Sequence, residues 1–437
     1  MRNNYVLKET VNLMSKLIEY ESYPASQTDD TLEILNFVLA YCSELGFETK
    51  KVNDFLGWAQ LGEEGVLIAF PIHLDVVPPG EGWSLDPFKL TKKGNYLYGR
   101  GTYDNKGPAA IMITLLNEIK NKVNLGKMRI RLIFGTKEET GMDCIKRYTE
   151  TEEMPEAGFV PDAMFPAVVG EKARIHLKLK RKEKVEWMDK FIGGTQVNSV
   201  PDKCILIKNI NDKNVIKASI SKISENNFRI ISHGAAAHAS KPATGSNAIL
   251  NLLVNLKEEY QSVCIKDILK LSSKKLNGKK IGINSLDDKF GDTSVNLGIC
   301  NYEREEWNLE LDIRFGRNIS KKKIIKQLSK EFSNWDISII NFKDLHIVKE
   351  DDPILKELAS IFYNHCPGES QEYIYMGGGT YASYFPDFVS FGPKFKNKRT
   401  FAHSADEKIE IEYLEKTINI YKDAIEMLIE RANNNEI

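Results

Sequence analysis

The order of patterns along the chain predicts an α/β fold: a mixed, largely parallel sheet flanked by helices, interrupted by an inserted α+β domain. Three observations predict it. Strand-like and helix-like segments alternate through the first third, paired strand patterns of a more antiparallel kind take over near Arg174, and the helix-and-strand rhythm returns after Asp351. Strand, helix and strand in succession imply parallel strands with helices on the sheet faces. Length agrees, because 437 residues exceed the roughly 250–300 at which a single hydrophobic core stops growing. The expected boundaries are residues 1–174 with 350–437 for one discontinuous domain and 175–349 for the insert.

Each element has its own local reason. "MRNNYVLKETVNLMSKLIEYES" sets Lys8, Glu9, Lys16, Glu19 and Glu21 among apolar positions, which suits an amphipathic helix and lacks the unbroken apolar core of a signal peptide. "TLEILNFVLAYCSELGF" repeats its apolar residues at three and four and is closed by Gly46. "GVLIAFPIHLDVV" reads as a strand running out at Pro78-Pro79-Gly80. "GPAAIMITLLNEIK" opens with Pro108 near the first helical position. "KMRIRLIFGTKEETG" is a short apolar strand ending in glycine and polar residues. Beyond Arg174, "RIHLKLKRKEKVEW", "FRIISHG", "TSVNLGIC" and "WNLELDIRFG" read as strands, with lysine-rich loops "SSKKLNGKK" and "NISKKKIIKQ" beside them. The return consists of a helix in "PILKELASIFYNH", a strand in "DFVSFGP" and a last helix from about Glu412 to Ala432.

Composition excludes several classes. Acidic and basic residues nearly cancel, 61 against 60, so no global field holds nucleic acid or an anionic membrane, and the lysine-rich loops read as solvated faces. Cys42, Cys144, Cys204, Cys264, Cys300 and Cys366 show no C-x-x-C pair and read as reduced core thiols of a cytoplasmic protein. No stretch reaches the ~18 apolar residues of a membrane span.

Ligands in open α/β sheets sit at the carboxyl ends of strands, which makes the motif positions informative. His73 and Asp75 come late in one strand and, two residues apart, share a face. Glu138 and Glu139 come just after another strand. Asp104 in "GRGTYDNKGP", Asp162 in "PDAMFP" and His403 in "FAHSADEKI" complete the set. Singly, each has an ordinary reading: a helix cap, a solvated carboxylate, a loop histidine. Together, two histidines and three carboxylates can serve two divalent ions if one carboxylate bridges, leaving each ion an open position for water. Glu138 is left over beside them, as a general base requires.

These motifs resemble the co-catalytic dizinc metallopeptidases and amidohydrolases that include aminoacylase, carnosinase and peptidase T, and most of all the bacterial dipeptidase PepV. The resemblance spans nearly the whole chain, through "HLDVVPPGEGW", "GRGTYDNKGP", "EETG", "DAMFP", "GEK", "GGGTYA" and "AHSADE". It implies that His73 and Asp162 are terminal ligands of one ion and Glu139 and His403 of the other. Asp104 bridges, Asp75 steadies His73, and Glu138 is the catalytic base. It also implies a cis peptide between Asp104 and Asn105. The cofactors expected are two divalent cations, Zn2+ first, with Mn2+ or Co2+ as alternatives.

The same resemblance places substrate contacts in the insert. The pattern G-x-x-A-H-x-S falls on Gly234 to Ser240 and selects His238, rather than His233, as a donor to the substrate carbonyl, so that catalysis implies a lid motion. Arg314 in "LDIRFG" lies where the family keeps an arginine that grips the substrate carboxylate. Asn198 and Gly378 match further substrate-side motifs. The implied activity is hydrolysis of dipeptides with a free carboxylate through a metal-bridging water. The rivals are a deacylase of N-acyl amino acids on the same centre and a non-catalytic metal- or peptide-binding protein. A large insert implies a monomer with His238 acting in cis, the alternative being a homodimer through the lid. The chain departs from the family pattern at Ala173, at Ser383 and in the basic segment "KFKNKRT", none of which is expected to touch a metal ligand.

Overall fold

The computed structural model describes residues 2–24, 26, 30–122, 125, 127–210, 215–217, 223–225, 228–399 and 401–437, with side chains from Tyr5 onward. The chain divides into two compact units. The first comprises 1–170, 346–374 and 379–437, and the second 171–345 with 375–378.

In the first unit, helices α1 (Arg2–Ile18) and α2 (Thr31–Glu44) precede a sheet built from β1 (Glu48–Asn53), β2 (Leu56–Leu61), β3 (Val66–His73), β4 (Met128–Gly135) and β5 (Ala157–Gly158). Its order is β1-β2-β4-β3-β5. The pairs β3–β4 and β3–β5 are parallel, while β1–β2 and β2–β4 are antiparallel. β3 is buried from Leu67 to His73, as expected of a strand covered on both faces by helices. Helix α3 (Lys106–Ile119) connects β3 to β4 and packs on β3 and α1. Lys106 to Leu116 are buried all round its circumference, which marks a helix enclosed by its neighbours rather than one lying on the surface. Helix α4 (Asp143–Thr151) follows β4.

The register puts the ends of β3 and β4 side by side: His73 pairs with Gly135, and the Leu74 N–H donates to the Gly135 carbonyl at 2.8 Å. The loops leaving both strands therefore emerge at one edge. β5 approaches so closely that a Cβ on Gly158 would stand 1.9 Å from the Ala69 carbonyl oxygen, and its φ of +150° is one that glycine alone adopts freely.

The second unit holds an eight-stranded sheet of β6 (Ala173–Lys182), β7 (Met188–Gly193), β8 (Lys203–Lys208), β9 (Ile223–Glu225), β10 (Arg229–His233), β11 (Ser294–Glu303), β12 (Glu306–Phe315) and β13 (Asp336–Lys343). The order is β9-β10-β8-β7-β11-β12-β6-β13, with antiparallel pairing throughout. Burial alternates along β6, as in a sheet with one packed face. Ile175, Leu177 and Leu179 share a core with residues of α5 (Ala248–Asn255), α6 (Val263–Leu269) and α7 (Lys321–Glu331). The chain then returns to the first unit through α8 (Pro353–His365) and α9 (Ile411–Asn433), which pack on one another. The six cysteines are all unpaired and buried.

Candidate metal centre

His73 is the last residue of β3 and is fully buried. Its Nδ1 lies 2.9 Å from the Asp75 backbone oxygen, an atom that can only accept, so Nδ1 carries the proton and donates. In the neutral ring Nε2 would keep its lone pair, the form in which an imidazole binds a cation; without a cation, a proton on Nε2 serves the carboxylates it faces. That nitrogen faces two carboxylates, Asp104 Oδ1 at 3.1 Å and Asp162 Oδ2 at 3.5 Å.

Asp75 does more than the expected steadying of His73. Its carboxylate stands 3.5 Å from His73 Nδ1, beyond the shorter contact made by its own backbone carbonyl. Its oxygens instead accept the backbone N–H groups of Glu138 at 3.2 Å and Glu139 at 3.0 Å. Asp75 thus steadies the ring through its main chain and pins the loop after β4 through its side chain.

Asp104 precedes α3, whose N-cap is Asn105. The peptide between them is cis, as the resemblance implies. Asn105 Nδ2 donates to the Pro161 carbonyl at 2.8 Å, tying this loop to the one that carries Asp162. Beneath the loop lies a support that the motifs contained but that was assigned no role. Glu407 Oε1 accepts the N–H of Tyr103 at 3.0 Å and of Asp104 at 3.3 Å, and Oε2 is paired with Arg100 at 2.7 Å. Both side chains are essentially inaccessible. In a chain that is 28% charged, nothing local distinguishes a buried pair drawn from positions 307 residues apart.

His403 adopts a left-handed φ of +59°, in which histidine is several-fold enriched over most side chains. The loop carrying it is held by Asp406, which accepts from the Ser84 N–H and hydroxyl. His403 Nε2 stands 2.9 Å from Glu139 Oε1 and 3.4 Å from Asp104 Oδ2. Glu139 Oε1 is buried, and beyond this ion-pair contact with His403 it has no hydrogen-bond partner. Three clusters result, each with ligand atoms within 4.8 Å of one another: His73, Asp104 and Asp162; Asp104, Glu139 and His403; and His73, Glu138 and Glu139. Asp104 belongs to the first two, through a different oxygen in each.

The electrostatics test whether cations fit. Burial would depress the His73 imidazole, yet Asp162, Asp104 and Asp75 outweigh it and hold it well above its ordinary value. Against the same penalty, Asp104 and Glu139 raise His403 to about 11. Burial and Asp104 push Asp162 up to about 7, and burial pushes Glu138 well above the usual carboxylate range. These raised values mark groups that would accept added positive charge, whereas Asp104, against the penalty of burial, is held well below the usual carboxylate range by Lys394, His403 and His73. Two imidazoles and three carboxylates gathered within a few ångströms form a donor set that divalent cations fit.

The basic segment after Pro393 corrects one expectation. Lys394 does touch a ligand: its Nζ donates to Asp104 Oδ2 at 2.8 Å. Burial would lower its pKa, but Asp104 and Asp162 raise it above the usual lysine value. Thr400, the last residue of "KFKNKRT", lies outside the described residues.

The substrate-side candidates fall in the second unit. Ala239 N–H donates to the Asn198 carbonyl at 2.9 Å, so Asn198 and His238 lie on adjoining strands of backbone. His238 Nδ1 is 2.7 Å from the Ser240 hydroxyl. Arg314 is the next-to-last residue of β12, 3% exposed, with Nε and Nη2 on the Asp312 carboxylate and Nη1 on the Gly377 carbonyl. Three of its five N–H groups are thereby engaged, leaving two. Gly377 packs against Ser240, where a Cβ would come within 2.8 Å of the serine Cβ, whereas Gly378 is freer. Among the described residues no helix is long and apolar enough to cross a membrane.

Comparison with known proteins concerns family and fold. Residues 69–427 match the model of peptidase family M20/M25/M40. "Putative dipeptidase YtjP" of Bacillus subtilis (strain 168) is 30% identical over 403 residues, covering 87% of each chain. Among solved structures, an M20 family metallo-carboxypeptidase, Sso-CP2 of Sulfolobus solfataricus, superposes with a TM-score of 0.61 at 16% identity, over 95% of this chain and 98% of that one. The Bacillus subtilis YXEP protein, described as a dinuclear metal-binding peptidase of the M20 family, superposes at 0.53 with 13% identity, over 98% and 99%. At such identities these likenesses concern the fold.

Proposed function

The chain belongs to peptidase family M20/M25/M40, and from that premise we propose that it is a two-metal dipeptidase acting on dipeptides with a free carboxylate. The observation that carries the reading is the convergence of His73, Asp104, Glu139, Asp162 and His403, drawn from five separate segments, around the shared carboxylate of Asp104. His73 and Asp162 would hold one cation, Glu139 and His403 the other, with Asp104 between them. Zinc suits the donors, as do manganese and cobalt. When bound, such cations polarise an amide carbonyl and lower the pKa of a water from 15.7 toward about 7.

The chain's own groups supply the rest. Glu138 accepts the proton of the attacking water and passes it to the leaving amine, a role worth about 10² to 10⁴ in rate. A carboxyl whose pKa is raised by burial suits a group that must hold a proton between those two events. Asp75 fixes the backbone on which Glu138 and Glu139 stand, and Glu407 fixes that of Asp104. His238 serves as donor to the carbonyl oxygen, Arg314 with its two remaining N–H groups takes the substrate carboxylate, and Asn198 and Gly378 line the substrate.

The test is metal analysis of purified protein with a panel of dipeptides and N-acetylated amino acids, before and after chelation. Dipeptide cleavage that chelation abolishes and Zn2+, Mn2+ or Co2+ restores is expected. Deacetylation without dipeptide cleavage would replace this reading with an N-acyl amino acid deacylase. Binding of dipeptides without turnover would replace it with a binding protein.

A further inference from the structure

Asp104 offers two oxygens, and cations have more claims on them than the family pattern provides for. Oδ1 faces His73 at 3.1 Å, and Oδ2 faces His403 at 3.4 Å. Oδ2 also accepts from the Lys394 ammonium at 2.8 Å, which brings a fixed positive charge to the same atom that the second ion needs.

The position of Lys394 is built rather than incidental. Pro393–Lys394 pairs in parallel with Ala163–Met164, directly after Asp162. The Ala163 N–H donates to the Gly392 carbonyl and the Phe165 N–H to the Lys394 carbonyl at 2.9 Å, so hydrogen bonds lock the backbone on both sides of the lysine. Successive side chains of an extended segment point to opposite faces. Phe395 accordingly enters the aromatic cluster of Phe165, Phe362 and Tyr413 at ring distances of 4.7–6.1 Å and is 2% exposed, which fixes Lys394 toward the carboxylates.

Resting on the two-metal reading above, we propose that Lys394 is a resident third cation of the centre, sharing Oδ2 of Asp104 with the ion held by Glu139 and His403 and making that ion the weakly bound one. The reason is electrostatic. An ammonium and a divalent ion on one carboxylate oxygen repel at short range, and the shared Asp104 carboxylate is buried, where screening is poor, although His403 on its outer side is half exposed. His73 faces the other oxygen, so an ion held by His73 and Asp162 would be penalised less. The centre would then keep one ion at low free metal and complete itself only as metal rises. Lys394 acts through Asp104 and is a positioning residue.

The experiment titrates metal-free full-length protein with Mn2+, by calorimetry and by the paramagnetic resonance signal of an exchange-coupled manganese pair, in wild type, K394Q, K394M and K394R. In wild type, two separated binding steps are expected. In K394Q and K394M the second step tightens by more than about tenfold relative to the first, and the pair signal appears at lower Mn2+. K394R, which keeps the charge, retains the wild-type separation, which loss of mere packing would not predict. An unchanged ratio of the two affinities in K394Q and K394M overturns the proposal, as does a weakened second step, which would make Lys394 a support for Asp104. Failure of both neutral variants to fold would assign the lysine a structural role and end it too. If no variant, wild type included, binds a second ion, the two-metal reading falls with it, an outcome distinct from two ions of unaltered affinity.

Discussion

Replacing Asp75 by asparagine removes a charge from a fully buried position while keeping the side chain's shape. Each carboxylate oxygen accepts one backbone N–H, from Glu138 at 3.2 Å and from Glu139 at 3.0 Å. An amide presents one acceptor and one donor, so one of these N–H groups loses its partner and faces another donor. A hydrogen bond to a charged group is worth about 1.5–3 kcal/mol, which at ~1.36 kcal/mol per decade is roughly 10- to 150-fold. The His73 ring keeps its shorter bond, because Nδ1 donates to the Asp75 main-chain carbonyl, which asparagine retains, and loses only the charge of the carboxylate 3.5 Å away. Calorimetric titration of metal-free Asp75→Asn should show one binding step, the one that uses Glu139, weakened by that factor, with the other changed by less than about twofold. Dipeptide turnover should fall as well, since Glu138 rides on the same loop. Equal weakening of both steps would mean that the carboxylate acts through His73, and no change in either would mean that the two N–H bonds do not position the loop.

Glu138→Gln should bind metal nearly as the wild type does while turnover falls by about 10² to 10⁴, read by metal analysis beside dipeptide kinetics; loss of metal instead would make Glu138 a ligand. Glu407→Ala leaves the buried Arg100 guanidinium without its carboxylate, and a loss of about 3–5 kcal/mol in urea unfolding is expected; a loss below about 1 kcal/mol would refute the buried pair. Asp287 accepts the Lys289, Phe290 and Arg317 N–H groups and the Arg317 guanidinium, and that guanidinium above all holds its carboxyl well below the usual range. The folded state therefore binds that proton more weakly than the unfolded chain does. Its stabilisation is full above the unfolded value of about 3.9 and fades as pH falls through lower values. Asp287→Asn should lower the melting temperature at pH 7, with the gap closing below about pH 4; a gap that persists in acid would refute the assignment.

Much of the centre was legible before any coordinates. His73, Glu138 and Glu139 were readable because strand ends are where open α/β sheets bind ligands, and the register of His73 with Gly135 realises that rule. Asp104, Asp162 and His403 were readable only as members of motifs, since each alone has a commoner explanation. The i and i+2 spacing suggested a side-chain contact between Asp75 and His73, which the structure shows at 3.5 Å, but the closer bond is made by the main-chain carbonyl, because the chain turns after β3.

The amino-acid order by itself determined most strands and helices and which residue types could bind cations, because periodicity and residue chemistry are local properties. Two readings from it fail: "NISKKKIIKQ", expected as a loop, holds the start of α7 at Lys321, and "DFVSFGP", expected as a strand, makes only isolated bridges at Ser390 before the short strand Pro393–Lys394. Tertiary structure alone decided what lies against Asp104. Glu407 and Arg100 support it from beneath, and Lys394 meets it from a strand 290 residues away. A charged side chain in water and one sealed against a carboxylate are identical in a sequence, and only burial, which depends on every other segment, turns the second into part of the site.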